Sequence, residues 1–428
     1  MRSYDIESIS AEDVKQVMRR GETAFEKSLA IAKPIVDAVR RDGDSALVRF
    51  AEQYEGFKGR SMSVPLSTLK SATSRTPPAL LSALKQSQQR IESYHSKQAL
   101  RAFEYEDSCG VFGQKVVPLR RVGVYAPGGT ANYASSVLMS VLPARVAGVE
   151  EIVLCTPSRD GVVNDAVLAA AYLAGVDEVY TVGGAHAVAA MAYGTETIRP
   201  VLKIVGPGGS IVTAAKQLVR KDCDIDFLAG PSEVLIIADE DADSELIAEE
   251  MLAQLEHDPN AVAIAVSPSK QVVELSKAKL SEMIQRSGRH DIVKISAEKG
   301  AVFLKTSSIQ QAVEISNEFG PEHLLIDVEN PEKVLDAVEC AGSVFIGKWS
   351  SVVFGDYCAG TNHVLPTMGM ARSQSALSVY DFIRIIPYQK ISEKGAGILA
   401  PIAVEMARAE DLPGHASAAI ARIRGDKE

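Results

Sequence analysis

The sequence predicts an α/β protein built on parallel sheets, and three observations carry that prediction. From Pro118 onward, the short β-branched runs RVGVYAP, EIVLCTP, EVYTVGG and VLIIAD are compact enough to be strands. Between them lie Ala-rich segments of the length that crossover helices need. The third observation is an internal echo. Ala147-Gly148-Val149-Glu150-Glu151-Ile152 recurs as Ala174-Gly175-Val176-Asp177-Glu178-Val179, each time after an Ala-rich helix and before a strand. Successive βα units require helix, glycine turn, strand. Common α/β punctuation explains the echo as well as duplication of a whole domain does.

Taken in order, the first hundred or so residues read mainly as helix. VKQVMRR, KPIVDAVRRDGDSALVRFAEQY and LLSALKQSQQRIESYHSKQ all place apolar residues at i, i+3, i+4 between charged faces. The βα texture follows, and a second α/β stretch runs from about Val262 to Ile346. The tail after Pro401 is an amphipathic helix broken at Leu412-Pro413-Gly414. A chain of 428 residues corresponds to about three domains, or two with extensions. No low-complexity linker separates the parts, so the domains are expected to interleave.

Composition excludes several partners. Apolar residues make up 46% and charged residues 23%, ordinary for a soluble chain that can bury a core without disulfides. Lys plus Arg number 45 against 55 Asp plus Glu, a net charge of −10. That balance argues against a broad nucleic-acid or anionic-membrane footprint. Aromatics are 6% with a single Trp, Trp349, so no stacking platform for bases is evident. The cysteines Cys109, Cys155, Cys223, Cys340 and Cys358 are scattered, odd in number and form no C-x-x-C pair, which suits a reducing compartment. The start MRSYDIESIS lacks a signal-peptide pattern, and the longest helix-like apolar stretch, Ala166 to Val176, is too short to span a bilayer. A cytoplasmic location is expected.

The placement of the seven histidines is informative. A helix over 244–257, with Ser244 as N-cap, would put Gln254 and His257 on one face at i, i+3 spacing. An amide oxygen and an imidazole there form half a metal site, although a His capping a helix C-terminus is the commoner arrangement. Phe319-Gly320-Pro321-Glu322-His323 sets a carboxylate beside an imidazole just before the strand HLLIDV. Acid–base chemistry favours such a position; a turn His bonded to backbone is the plainer alternative. Gly355 to His363 reads as a polar, glycine-punctuated loop in which Asp356 offers a hard oxygen and His363 a nitrogen, though an Asx-turn also accounts for Asp356. His415, five residues after Glu410, reads on local grounds as a solvated tail residue. The turns Ala126-Pro127-Gly128-Gly129, Gly183-Gly184-Ala185-His186 and Gly206-Pro207-Gly208-Gly209 each follow a strand, where backbone N–H groups can hold phosphate. None spells G-x-G-x-x-G.

Together, VGVYAPGGTANYASSVLMSVLPARVAGVEEIV, AGPSEVLIIAD, QLEHDPNA, FGPEHLL and GDYCAGTNHVLPT resemble the histidinol dehydrogenase family, and the resemblance covers nearly the whole chain. It implies two incomplete Rossmann-like domains of aldehyde-dehydrogenase-like appearance, one inserted in the other, with small N- and C-terminal helical dimerisation pieces. The implied boundaries are a main domain of 24–123 plus 233–376, an inserted NAD-side domain of 124–232, a dimerisation domain of 1–23 plus 377–403, and a tail of 404–428. It further implies NAD-dependent, four-electron oxidation of L-histidinol to L-histidine by a homodimer holding one Zn²⁺ per subunit. Carried over by motif, the zinc ligands are Gln254, His257, Asp356 and, from the partner subunit by tail exchange, His415. By the same resemblance His323 is the general base and Glu322 helps activate water. Ser232, His363 and Glu410 join the zinc ligands and His323 in contacting substrate. Tyr125, His186 and Gly209 match cofactor positions.

Two positions depart from the family pattern. Gln usually stands where this chain has His186, and Asn where it has Gly209. Loss of the Asn side chain removes a hydrogen bond of about 0.5–1.5 kcal/mol, which predicts weaker NAD binding. Two other readings keep the scaffold: a paralogous dehydrogenase of another small polar alcohol, and a zinc-binding homologue without catalysis. No H-E-x-x-H pair suggests a metallohydrolase.

Overall fold

The computed structural model describes residues 1–6, 22–59, 61–128, 133–158, 162–228 and 230–424. The expected helix around VKQVMRR, Gly129 of the first glycine turn and Ala229 of AGPSE lie outside them.

In chain order, β1 (Arg2–Asp5) precedes the helices α1 (Glu22–Asp42) and α2 (Asp44–Glu55). Then come β2 (Ser63–Val64), α3 (Leu66–Arg75), α4 (Pro78–His95), β3 (Phe103–Asp107) and β4 (Gly110–Pro118). A βα series follows: β5 (Arg121–Tyr125), α5 (Ala134–Ala147), β6 (Glu151–Cys155), α6 (Asp165–Ala174), β7 (Glu178–Tyr180), α7 (Gly184–Tyr193), β8 (Lys203–Val205), α8 (Ser210–Val219) and β9 (Asp224–Ile225). A second series comprises β10 (Glu233–Ala238), α9 (Ser244–Leu255), β11 (Val262–Ser267), α10 (Lys270–Arg286), α11 (His290–Gly300), β12 (Ala301–Lys305), α12 (Ile309–Phe319), β13 (His323–Asp327), α13 (Pro331–Leu335), β14 (Ser343–Ile346) and α14 (Val352–Tyr357). The chain finishes with β15 (Ile383–Ile391), α15 (Glu393–Ala409) and α16 (Pro413–Ala421).

The first sheet has the order β2-β7-β6-β5-β8-β9 and is parallel except for the short β2. The second, β1-β12-β11-β10-β13-β14, is parallel throughout. Its central strand β10 buries both faces: Val234 and Ile236 meet Met251, Leu255 and Leu280, while Leu235 and Ile237 meet Val313 and Phe319. A near-continuous apolar run is what a strand covered on both sides needs. The echo marks real βα junctions. Helices α5 and α6 each end at a glycine in the left-handed region, Gly148 (φ 92°) and Gly175 (φ 75°), and a strand follows. Arg145 ties the two copies together through its bonds to the Gly175 carbonyl and the Asp177 carboxylate.

Residues 1–98 with 120–381 form one compact unit, and 99–119 with 382–428 another. Within the first, Ala32, Ile35, Val39 and Leu47 of the N-terminal helices share a buried cluster with Val153, Val188 and Ile204 around the first sheet. This differs from the expected grouping of 24–123 with 233–376. Likewise β1 joins the second sheet instead of a separate piece with 377–403. Within the other unit, residues 383–391 form a strand, not a helix, in an antiparallel sheet β15-β4-β3. The apolar residues of IRIIPYQKI find pairing partners some 270 positions away in β4, which no local periodicity announces.

Candidate active site

The start of β13 places the acid–base pair. Glu322 and His323 are both buried, at 7% and 4% exposure. The Glu322 carboxylate accepts the Glu233 N–H at 2.7 Å, and His323 Nδ1 lies 2.9 Å from the Glu233 carbonyl. A carbonyl only accepts, so Nδ1 carries a proton and Nε2 is the nitrogen that gains or loses one. That Nε2 has no hydrogen-bond partner and lies 3.5 Å from Asp356 Oδ1. Burial alone would lower the His323 pKa, but the carboxylates of Glu322 and Asp356 outweigh it and hold the imidazole well above its ordinary value. Glu233, which positions both side chains, stands in the AGPSE motif but was not singled out by spacing.

Asp356 sits in α14, so the segment expected as a loop begins as a short helix. Burial pushes its carboxyl up, yet His323 beside it outweighs burial and brings it below the ordinary range. His363 Nδ1–H donates to the Asp356 carbonyl at 2.7 Å, leaving Nε2 3.4 Å from Ser136 Oγ of α5. Burial keeps His363 neutral by lowering its pKa. Glu322, His323, Asp356 and His363 are therefore assembled from two segments of the chain.

Helix α9 ends at Leu255, not 257, and its N-cap is Asp243, whose carboxylate accepts the Glu245 N–H; Ser244 is the first helical residue. Gln254 is in the last turn, 4% exposed, with Nε2 unpaired. His257 lies past the helix end and is exposed, so the two do not share a helix face. Glu250, one turn before Gln254, accepts the Val352 N–H at 3.2 Å and thereby ties α9 to α14. Among the described residues no three His, Cys, Asp or Glu side chains gather tightly enough to hold a metal unaided. Ser232, half-buried, leads into β10. Glu410 and His415 belong to the second unit and are exposed, Glu410 capping the end of α15 and His415 in the first turn of α16.

The cofactor candidates lie at the carboxyl edge of the first sheet. Tyr125 ends β5; its hydroxyl accepts the Gly184 N–H at 3.1 Å, and burial pushes its pKa up to about 12. Gly209 caps α8, is exposed, and a Cβ there would meet nothing within 4 Å. His186 is 2% exposed and its Nε2 is bonded to Glu55 at 2.8 Å.

A family model described as histidinol dehydrogenase matches residues 18–423. The chain belongs to the histidinol dehydrogenase family. It is 45% identical over 413 residues to the histidinol dehydrogenase of Methanothermobacter thermautotrophicus, covering 96% of this chain and 97% of that one. The histidinol dehydrogenase of Pseudomonas syringae pv. syringae is 44% identical, with coverage of 91% and 88%. A crystal structure of histidinol dehydrogenase from Elizabethkingia anophelis superposes with a TM-score of 0.93 at 32% identity, over 99% of this chain and 98% of that one. The α/β architecture with two parallel sheets is thus that of the histidinol dehydrogenase family. No helix among the described residues is long and apolar enough to cross a membrane.

Proposed function

We propose that this chain oxidises L-histidinol to L-histidine through the aldehyde, using two NAD⁺ and one water, as the last step of histidine biosynthesis in the cytoplasm. The observation that carries the proposal is His323: a buried imidazole whose Nδ1–H is committed to the Glu233 carbonyl, leaving Nε2 to take a proton. Hydride departs from a carbinol carbon readily only as the alkoxide forms, so a base at that carbon is the first requirement. His323 Nε2 takes the alcohol proton. His323 passes that proton to solvent, Glu322 orients and deprotonates the water that adds to the aldehyde, and His323 then accepts the proton of the hydrated aldehyde in the second oxidation. NAD⁺, when bound at the carboxyl edge of the first sheet near Tyr125 and Gly209, accepts the hydride of each step.

The donor set fits zinc in kind. Buried Gln254 supplies an amide oxygen, Asp356 a carboxylate oxygen and His257 an imidazole. His415 from a partner subunit would complete it, which makes the homodimer part of the proposal. When bound, the zinc would orient the substrate's amino and imidazole nitrogens. His363, Ser232 and Glu410 would contact the same substrate. Incubation with L-histidinol and NAD⁺ tests the reading: L-histidine should form, chelation should stop it, and zinc should restore it. Turnover of other small alcohols but not histidinol would refute it.

A further inference from the structure

The two glycine turns at the carboxyl edge of the first sheet are held from within by the same device, built twice. At the first, Glu55 from the end of α2 accepts the Gly183 N–H at 2.8 Å and bonds His186 Nε2 at 2.8 Å; its other oxygen accepts the Ser158 N–H at 3.4 Å. At the second, Asp226 accepts the Gly206 N–H at 2.8 Å and pairs with Lys216, whose ammonium also donates to the Gly206 carbonyl at 2.9 Å. In each case a buried carboxylate grips a glycine amide and is bonded by a side chain from the helix that follows the turn. All four side chains are at most 8% exposed. Tyr125 touches both: its hydroxyl accepts the Gly184 N–H, and its carbonyl oxygen would collide with a Cβ at Gly206.

We infer that Glu55–His186 and Asp226–Lys216 are positioning residues that set the two turns for the dinucleotide, and that His186 acts through Glu55 and does not itself touch the cofactor. This rests on the NAD-dependent reading above. His186 is 2% exposed with Nε2 spent on Glu55, and the carboxylate already fills the amino end of α7. Burying an ion pair such as Lys216–Asp226 yields little net stability and can instead fix one arrangement of the backbone it bonds. Here both the N–H and the C=O of Gly206 are fixed, just before the open Gly209.

The experiment compares zinc-loaded wild type with Glu55→Gln, His186→Ala, His186→Gln, the Glu55→Gln/His186→Ala double variant, and the paired Lys216→Met/Asp226→Leu variant, which leaves no lone buried charge. NAD⁺ binding by calorimetry, KM for NAD⁺ against kcat, and amide exchange of the turns are measured. The expected result is a rise of about tenfold in KM and Kd for NAD⁺ with kcat nearly kept. Gly183 or Gly206 should exchange faster in the matching variant, and the double variant should be no worse than His186→Ala alone. His186→Gln, which keeps a donor to Glu55, should restore most of the affinity. If His186→Ala weakens NAD⁺ binding while Glu55→Gln does not, His186 is a direct contact and the inference falls. It also falls if folded variants bind NAD⁺ as wild type does. A wild type that binds no NAD⁺ overturns the proposed function itself.

Discussion

His323→Asn removes the atom the proposed chemistry needs while keeping the bond that holds the side chain. In the native protein Nδ1–H donates to the Glu233 carbonyl at 2.9 Å, and an Asn amide can donate in the same direction. What disappears is Nε2, the nitrogen 3.5 Å from Asp356 Oδ1. Loss of a positioned general base costs about 10²–10⁴ in rate, or roughly 3–5 kcal/mol on the barrier. The site is buried, so trimming the ring also costs about 1–3 kcal/mol of stability and lowers Tm by several degrees. Zinc content and NAD⁺ affinity should stay near wild type, because neither donor set includes His323. Steady-state NADH formation, metal analysis and calorimetry on one preparation separate these effects. Wild-type kcat in a folded, zinc-loaded His323→Asn protein would refute the reasoning.

Gly209→Asn should tighten NAD⁺ binding by about two- to tenfold, the worth of one hydrogen bond, with Tm unchanged because the position is open; calorimetry reads it. Glu178 gives a pH prediction. The Arg121 hydrogen bond, with Arg199 and Tyr180, outweighs burial and lowers its pKa from 4.5 to about 2. A depressed carboxylate contributes stability above its unfolded pKa and loses it as pH falls towards the folded value. Glu178→Gln should therefore flatten the acid limb of the Tm–pH curve between about pH 5 and 2, and an unchanged limb contradicts the assignment. Phe303, fully buried in the second sheet, should cost about 3–5 kcal/mol on replacement by Ala, read by denaturant midpoint.

The parts of this molecule legible in the sequence are those written in local patterns. Strands such as VLIIA declare themselves by unbroken β-branched runs, and Gly148 and Gly175 by standing where a helix must stop. The acid–base pair was legible as chemistry because Glu322 and His323 are adjacent. The alignment of His323 by Glu233, 90 positions away, was not. Long-range pairings hid the rest. His186 matched a cofactor position by resemblance, and nothing near it in the chain names Glu55, 131 positions earlier. The strand Ile383–Ile391 falls in a piece the resemblance implied to be helical, and its partner β4 is remoter still. Capping was misread by a single residue: both Asp243 and Ser244 are good caps, and only the bond to the Glu245 N–H decides between them.

The central claim is that one site carries out both oxidations without releasing the aldehyde. Its most direct measurement is the NADH formed when limiting L-histidinol is consumed to completion with excess NAD⁺ and zinc-loaded protein. The account predicts two NADH for each histidinol, with L-histidine as the sole product. One NADH, with histidinaldehyde recovered in solution, would contradict it.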